Sequence, residues 1–216
     1  MTRKERYKIF VEHFANKMPT AETELSYRNP YELLIAVILS AQCTDKRVNI
    51  VTPVLFEKYP YVQDLAEATA EEVFEIIRSI SYPNSKSKYL VNSAKMLVEN
   101  FGGEIPDNVE DLVKLPGVGR KTANVVASVV YNVAAMPVDT HVFRVSKRIG
   151  LTPQNTTTPL ATEKILVKNL PNDVIAVAHH WLILHGRYIC LARSPKCEKC
   201  DITHFCKFFE KKSKTK

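Results

Sequence analysis

Four cysteines crowd the C-terminal end of the chain in the order Cys190-x6-Cys197-x2-Cys200-x5-Cys206. Thiolates are soft ligands, and four in one short stretch match the count that a metal centre needs. The opening MTRKERYKIFVEHF has neither an apolar h-region nor a small-residue cleavage site, so no secretory signal is expected. Without secretion, clustered cysteines point to metal rather than disulfides. Zinc favours two close pairs, and only one C-x2-C is present; a [4Fe–4S] cluster is served equally by four thiolates in one loop. Spacing alone leaves zinc and iron–sulfur level. The fifth cysteine, Cys43, lies in an apolar helical segment and reads as a small core residue.

The second chemical signal is LVKLPGVGRKTANVV at 112–126. One helix ends near Lys114, a turn follows, and a second helix begins near Arg120. Gly117 and Gly119 let the backbone turn tightly and approach a ligand without a Cβ in the way. Exposed amides at the new helix start suit a phosphate oxygen. Leu115 and Val118 are placed to anchor the hairpin. A bare G-x-G would fit any αα-hairpin; the full string is far more specific. Lys121 falls in the first turn of the second helix. There the helix dipole disfavours an ammonium, and partial burial is expected to add to that effect. A neutral amine is what nucleophilic attack requires.

The third signal is MPVDTHVFR at 136–144. Asp139 precedes a helical pattern, so its simplest role is N-cap. A carboxylate held in that way can also stabilise positive charge on a sugar or move protons. His141 is either a DNA contact or a packing residue.

The elements that must position these groups are helical. Apolar periodicity and helix-start prolines predict helices at about 3–17, 30–42, 45–58, 70–80, 86–101, 108–114, 120–132, 140–149, 159–169 and 172–189. Strand signals are scarce, so the fold class is all-α with a metal loop closing the C-terminus. The tail KKSKTK reads as frayed. The longest strongly apolar run, residues 33–39, is far below the roughly 20 residues of a membrane helix, so no membrane partner is expected. A soluble, cytoplasmic and nucleoid-associated chain follows. No heptad seam is visible, which makes a monomer the default. The formal net charge of +7 favours a polyanionic partner, nucleic acid above all.

Taken together, LPGVGRKTA, VDTHVFR and the cysteine spacing resemble the endonuclease III family of helix–hairpin–helix DNA glycosylases. The likeness runs from about Glu22 through Cys206, including LLIAVILSAQCTD at 33–45 and HHWLILHGRY at 179–188. It implies a bifunctional DNA glycosylase and abasic-site lyase of base excision repair. Such an enzyme removes oxidised pyrimidines from double-stranded DNA and cuts 3′ to the abasic site by β-elimination. The resemblance assigns the Schiff-base nucleophile to Lys121 and catalytic carboxylate work to Asp139. It also gives a [4Fe–4S] cluster to Cys190, Cys197, Cys200 and Cys206. Gln42 would fill the gap left by the flipped nucleotide, and Gly117, Gly119, Arg120, His141 and Arg193 would contact DNA. Many members carry a leucine wedge where this chain has Tyr82. An aromatic ring can intercalate too, and the change bears on preference for the base opposite the lesion.

The expected arrangement is two helical lobes, 22–133 with the hairpin and 1–21 plus 134–216 with the cluster loop, and an active cleft between them. Two other readings remain at this point. One is an adenine mismatch glycosylase of the same superfamily, against which Lys121 is present and the early-helix position of its catalytic glutamate is apolar Val37. The other is a non-catalytic DNA-binding module.

Overall fold

Side-chain oxygens that meet an orphan amide stand at most helix starts and define where the elements begin. The computed structural model describes residues 1–214, and among these every regular element is helical. Helix α1 (Arg3–Lys17) opens on a Thr2–Glu5 capping box. Asn29 caps α2 (Pro30–Ser40) and Thr44 caps α3 (Asp45–Lys58). The short α4 (Val62–Glu67) leads to α5 (Ala70–Ile77), capped by Thr69. α6 (Pro83–Phe101) begins with proline in its first turn, where a missing amide costs nothing. Asn108 caps α7 (Val109–Leu112), and α8 (Arg120–Tyr131) follows Gly119. Asp139 caps α9 (Thr140–Ile149) and Thr158 caps α10 (Pro159–Asn169). A 3-10 turn at Asn172–Val174 runs into α11 (Ile175–Tyr188), and α12 (Lys207–Lys214) ends the described chain.

Several expectations are corrected. The helix expected over 30–42 stops at Ser40, because residues 40–43 form a turn closed by Cys43 N–H donating to Ser40 O at 3.0 Å. α6 starts at Pro83 rather than 86. α4 is only six residues long, too short for its periodicity to stand out. The basic tail is not frayed as far as Lys214. Its helix is continued from Cys206, whose carbonyl accepts from Glu210 N–H at 3.0 Å, and the Arg148 guanidinium lies 4.9 Å over the Phe208 ring. Thr215 and Lys216 of that tail lie outside the described residues. Cys43 is half-buried against the core rather than inside it.

The chain divides into two units. In Thr23–Val133, α2 is the central helix: residues 33–39 are all buried, so it is apolar on every side. α3 and α8 pack on it, and α6 packs on α4 and α5. The other unit joins Met1–Glu22 to Ala134–Lys216. Its centre is aromatic. Phe10 and Phe14 sit 4.9 Å apart, each 5.9 Å from Trp181, whose indole N–H donates to Met18 O at 2.7 Å. These contacts fasten α1 to α11, which explains why the N-terminus belongs with the C-terminal half. Among the described residues no helix is long and apolar enough to cross a membrane.

If that aromatic group holds α1 in place, Phe14→Ala should destabilise the protein by about 3–5 kcal/mol in denaturant melts. A loss below roughly 1 kcal/mol would mean that α1 contributes little to its unit.

Candidate active site

The hairpin between α7 and α8 gives its two glycines different tasks. Gly117 has φ +79°, and a Cβ there would lie 2.8 Å from Tyr89 Cβ and Cγ. It is required by the turn itself. Gly119 has an ordinary extended backbone, and a Cβ added to it would meet nothing within 4 Å. No internal packing demands a glycine at that position, so the open space suits an external ligand. Leu115 and Val118 are buried, as an anchored hairpin requires. Ser93 Oγ–H donates to Pro116 O at 2.6 Å and braces the turn from α6. No side chain caps α8. Its positive end therefore faces outward beside exposed Arg120.

Lys121 follows Arg120 and is exposed. The expected partial burial is absent, because the first turn of α8 stands clear of the core that Ala123, Val126 and Ala127 enter. Asp45, the first residue of α3, lies within electrostatic reach of Lys121. Burial pushes its carboxyl pKa up, and the lysine charge opposes that shift. Sequence reading passed over Asp45 because it is a first-turn acid of the most ordinary kind.

Gln42 and Tyr82 are both exposed and share an uncommon backbone. Their φ values are +55° and +58°. Only Asn132, a helix C-cap, joins them among the described non-glycine residues with positive φ.

In the other unit, Asp139 Oδ1 accepts from Val142 N–H at 2.8 Å, which establishes the cap. His141 Nδ1 lies 3.1 Å from Arg144 Nη2. Arg144 also donates to Gly186 O and Cys190 O at 2.9 and 3.1 Å. Gly186 is required here, since a Cβ would lie 2.9 Å from His141 Cβ. Arg148, one turn on, donates to Leu191 O at 2.7 Å and Ala192 O at 2.7 Å and reaches Cys190 Sγ at 3.5 Å. One helix thus carries Asp139 at its start and two arginines that grip the cysteine loop. Sequence reading missed these arginines, because their carbonyl partners lie more than 40 residues away.

The four cysteines line a single pocket together with Ile202 and Phe209, and none forms a disulfide. Burial, and then the neighbouring Cys206, Asp201 and Cys190 charges, push the Cys200 thiol up to about 11. Such thiolates call for a cationic group to offset their charge. His185 is buried, its Nε2 3.8 Å from Cys200 Sγ, and burial draws its pKa down to about 4. His179 and His180 are buried as well, which fits packing roles for this histidine group. Arg193 is exposed on the loop between the first two cysteines.

Residues 35–172 match the model of the HhH-GPD superfamily of base excision DNA repair proteins. Endonuclease III of Rickettsia prowazekii is 48% identical over 202 residues, covering 94% of each chain. That of Bacillus subtilis is 46% identical over 204 residues, covering 94% of this chain and 93% of the relative. The chain belongs to the endonuclease III family. It is an enzyme of base excision repair, a DNA glycosylase and abasic-site lyase. A solved structure of a trapped covalent endonuclease III–DNA intermediate superimposes with a TM-score of 0.90 at 45% identity, covering 99% of this chain and 100% of that one. Family membership leaves the adenine-mismatch and non-catalytic readings without support.

The two glycines can be separated by experiment. Gly117→Ala should destabilise the fold by about 1–3 kcal/mol, from strain and the Tyr89 contact. Gly119→Thr should leave the melting temperature nearly unchanged, since threonine caps about as well as glycine, while weakening DNA binding on every sequence alike. A variant at 119 that binds as tightly as the parent would remove the hairpin from the DNA contact.

Proposed function

We propose that this enzyme excises oxidised pyrimidines from double-stranded DNA through a Schiff base on Lys121. The carrying observation is the uncapped, outward-facing start of α8, which holds Lys121 one residue beyond Arg120 and two beyond the open Gly119. A phosphate on those amides would bring the backbone of a damaged nucleotide to the amine. The target base leaves the stack before it can be reached. Lys121 Nζ then bonds to C1′, the C1′–N bond breaks, and the base departs with the electron pair and a proton. Opening of the sugar ring gives the iminium. Loss of a C2′ proton then forms a C2′–C3′ double bond and expels the 3′ phosphate. The covalent DNA intermediate of the 45% identical relative supports this route.

Asp139 serves as cap and carboxylate at once. Its Oδ1 is engaged by the Val142 amide, which fixes the side chain and leaves Oδ2 for positive charge on the sugar. Gln42 and Tyr82 enter the duplex at the extruded nucleotide, and His141 and Arg193 contact its backbone. A DNA substrate puts the enzyme at the nucleoid, in the cytoplasm. One chain carries every residue of the scheme, so a monomer suffices.

Cys190, Cys197, Cys200 and Cys206 would hold a [4Fe–4S] cluster. A zinc site would need all four sulfurs about 2.3 Å from one point, whereas a cluster takes one thiolate per iron. The spacing of the four cysteines, which resembles the cluster loop of the endonuclease III family, favours the second. The cluster, when bound, supplies a structural tie across the loop that Arg144 and Arg148 anchor.

Two measurements check these assignments. Lys121→Gln should still bind DNA, with neither base release nor a borohydride-trapped adduct on abasic-site DNA; a trapped adduct would move the nucleophile elsewhere. Asp139→Asn keeps the cap and should melt near the parent temperature while excision falls by roughly 100-fold or more. Unfolding, or intact excision, would reduce Asp139 to a cap. Separately, purified protein should be yellow-brown, with about four iron and four sulfide per chain. Stoichiometric zinc without visible colour would overturn the cluster.

A further inference from the structure

Lys86 is a buried cation, 5% exposed, in a unit where charge has little reason to be inside. Its Nζ donates to Leu39 O at 2.8 Å and to Ala41 O at 2.6 Å. Both acceptors lie where α2 ends. Ala41 has φ −57° and ψ 114°, Gln42 has φ +55°, and Cys43 N–H closes the turn onto Ser40 O at 3.0 Å. This is the type II pattern, with Gln42 at the position that usually takes glycine or asparagine. Type I and type II turns differ by a flip of the central peptide. Here that peptide joins Ala41 to Gln42, and its oxygen is the one that Lys86 holds. In a type I turn the same oxygen would point to the opposite side, away from the ammonium.

Lys86 also lies in the first turn of α6. Its own N–H donates to Tyr82 O at 3.1 Å, and Tyr82 is the other left-handed exposed residue of this unit that is expected to enter DNA. One residue therefore touches both segments, through its side chain on one and its backbone on the other.

We infer that Lys86 is a positioning residue: by holding Ala41 O it selects the type II turn, aims Gln42, and fixes that turn against the Tyr82 segment. The inference rests on the reading that Gln42 enters the duplex. A left-handed glutamine persists only while its surroundings enforce it. Without the ammonium the central peptide relaxes toward the type I arrangement, and Gln42 leaves its direction. Binding energy available for extrusion falls, while the Lys121 amine is untouched.

Lys86→Met keeps the length and removes the donor. In this variant, excision from duplex DNA should drop roughly tenfold, and fluorescence of 2-aminopurine placed opposite the lesion should report less complete insertion. Borohydride trapping on a single-stranded abasic site, where no base needs extruding, should stay within about twofold of the parent. Gln42→Ala and the double variant complete the cycle. Because Lys86 acts through Gln42, the double should lose no more than Gln42→Ala alone. Additive losses, an equal fall on both substrates, or unchanged excision would each overturn the inference. If Gln42→Ala itself excises normally, the reading of Gln42 is what fails. Should the methionine variant not fold, Lys86→Gln, one atom shorter and uncharged so that it no longer reaches both carbonyls, goes through the same cycle, with the same outcomes deciding.

Discussion

A helix leaves its first amides and last carbonyls without partners, and this constraint organises the molecule. Among the described residues, seven helices open on a Thr, Asn or Asp side chain that accepts from an amide of the first turn. α8 opens on glycine with no cap. α4, α6 and α11 also open without a side-chain cap bond, but α8 is the one of these that starts at the hairpin, where an external phosphate can do what a side chain does elsewhere. Asp139 shows the complementary use. It closes its helix with one oxygen, and the proposed chemistry falls to the other. At the C-terminal end of α2 a buried ammonium takes the carbonyls. Functional groups thus stand at helix ends because unsatisfied polarity is concentrated there.

The cysteine loop has little regular structure of its own, only 3-10 turns at Cys197–Lys199 and Thr203–Phe205. It is tied at several points instead. Ile202 and Phe205 are buried in the second core, and Arg144 and Arg148 take its carbonyls. Hydrogen bonds from a guanidinium to several carbonyls at once give a rigid connection from α9 to the loop. The same helix begins at Asp139. The cysteine loop and the Asp139 carboxylate therefore share one rigid support within the unit.

The elements with long periodic patterns were legible in the sequence. α1, α3, α9 and α10 lie where periodicity and caps put them, and the apolar block of α2 is the core helix that its composition suggests. Short pieces were not legible: α4 has too few residues to show a period, and α12 is a run of lysines with two phenylalanines whose partners lie elsewhere in the chain. At the site, the Asp139 cap was readable because capping is a contact over three residues. Asp45 beside Lys121, and the arginines on the cysteine loop, were not, since nothing local distinguishes them from surface charge.

Legible in the sequence by itself were the residues proposed for the chemistry: a lysine after L-P-G-V-G-R, an aspartate before a helix, four thiols in one loop, and an all-helical chain to carry them. Residue type and short spacing encode these features directly. Tertiary structure alone decided that Gly117 serves the turn while Gly119 stays open, that Lys121 is exposed, and that the α2 helix breaks at Ser40. The first and last of these depend on partners far along the chain, and the others on nothing packing over them. Tyr89 stands against Gly117, and Lys86 holds the carbonyls 45 and 47 residues before it. Contacts of that kind arise only after the core has formed, when burial makes a hydrogen bond worth more than it is in water, so no local pattern announces them.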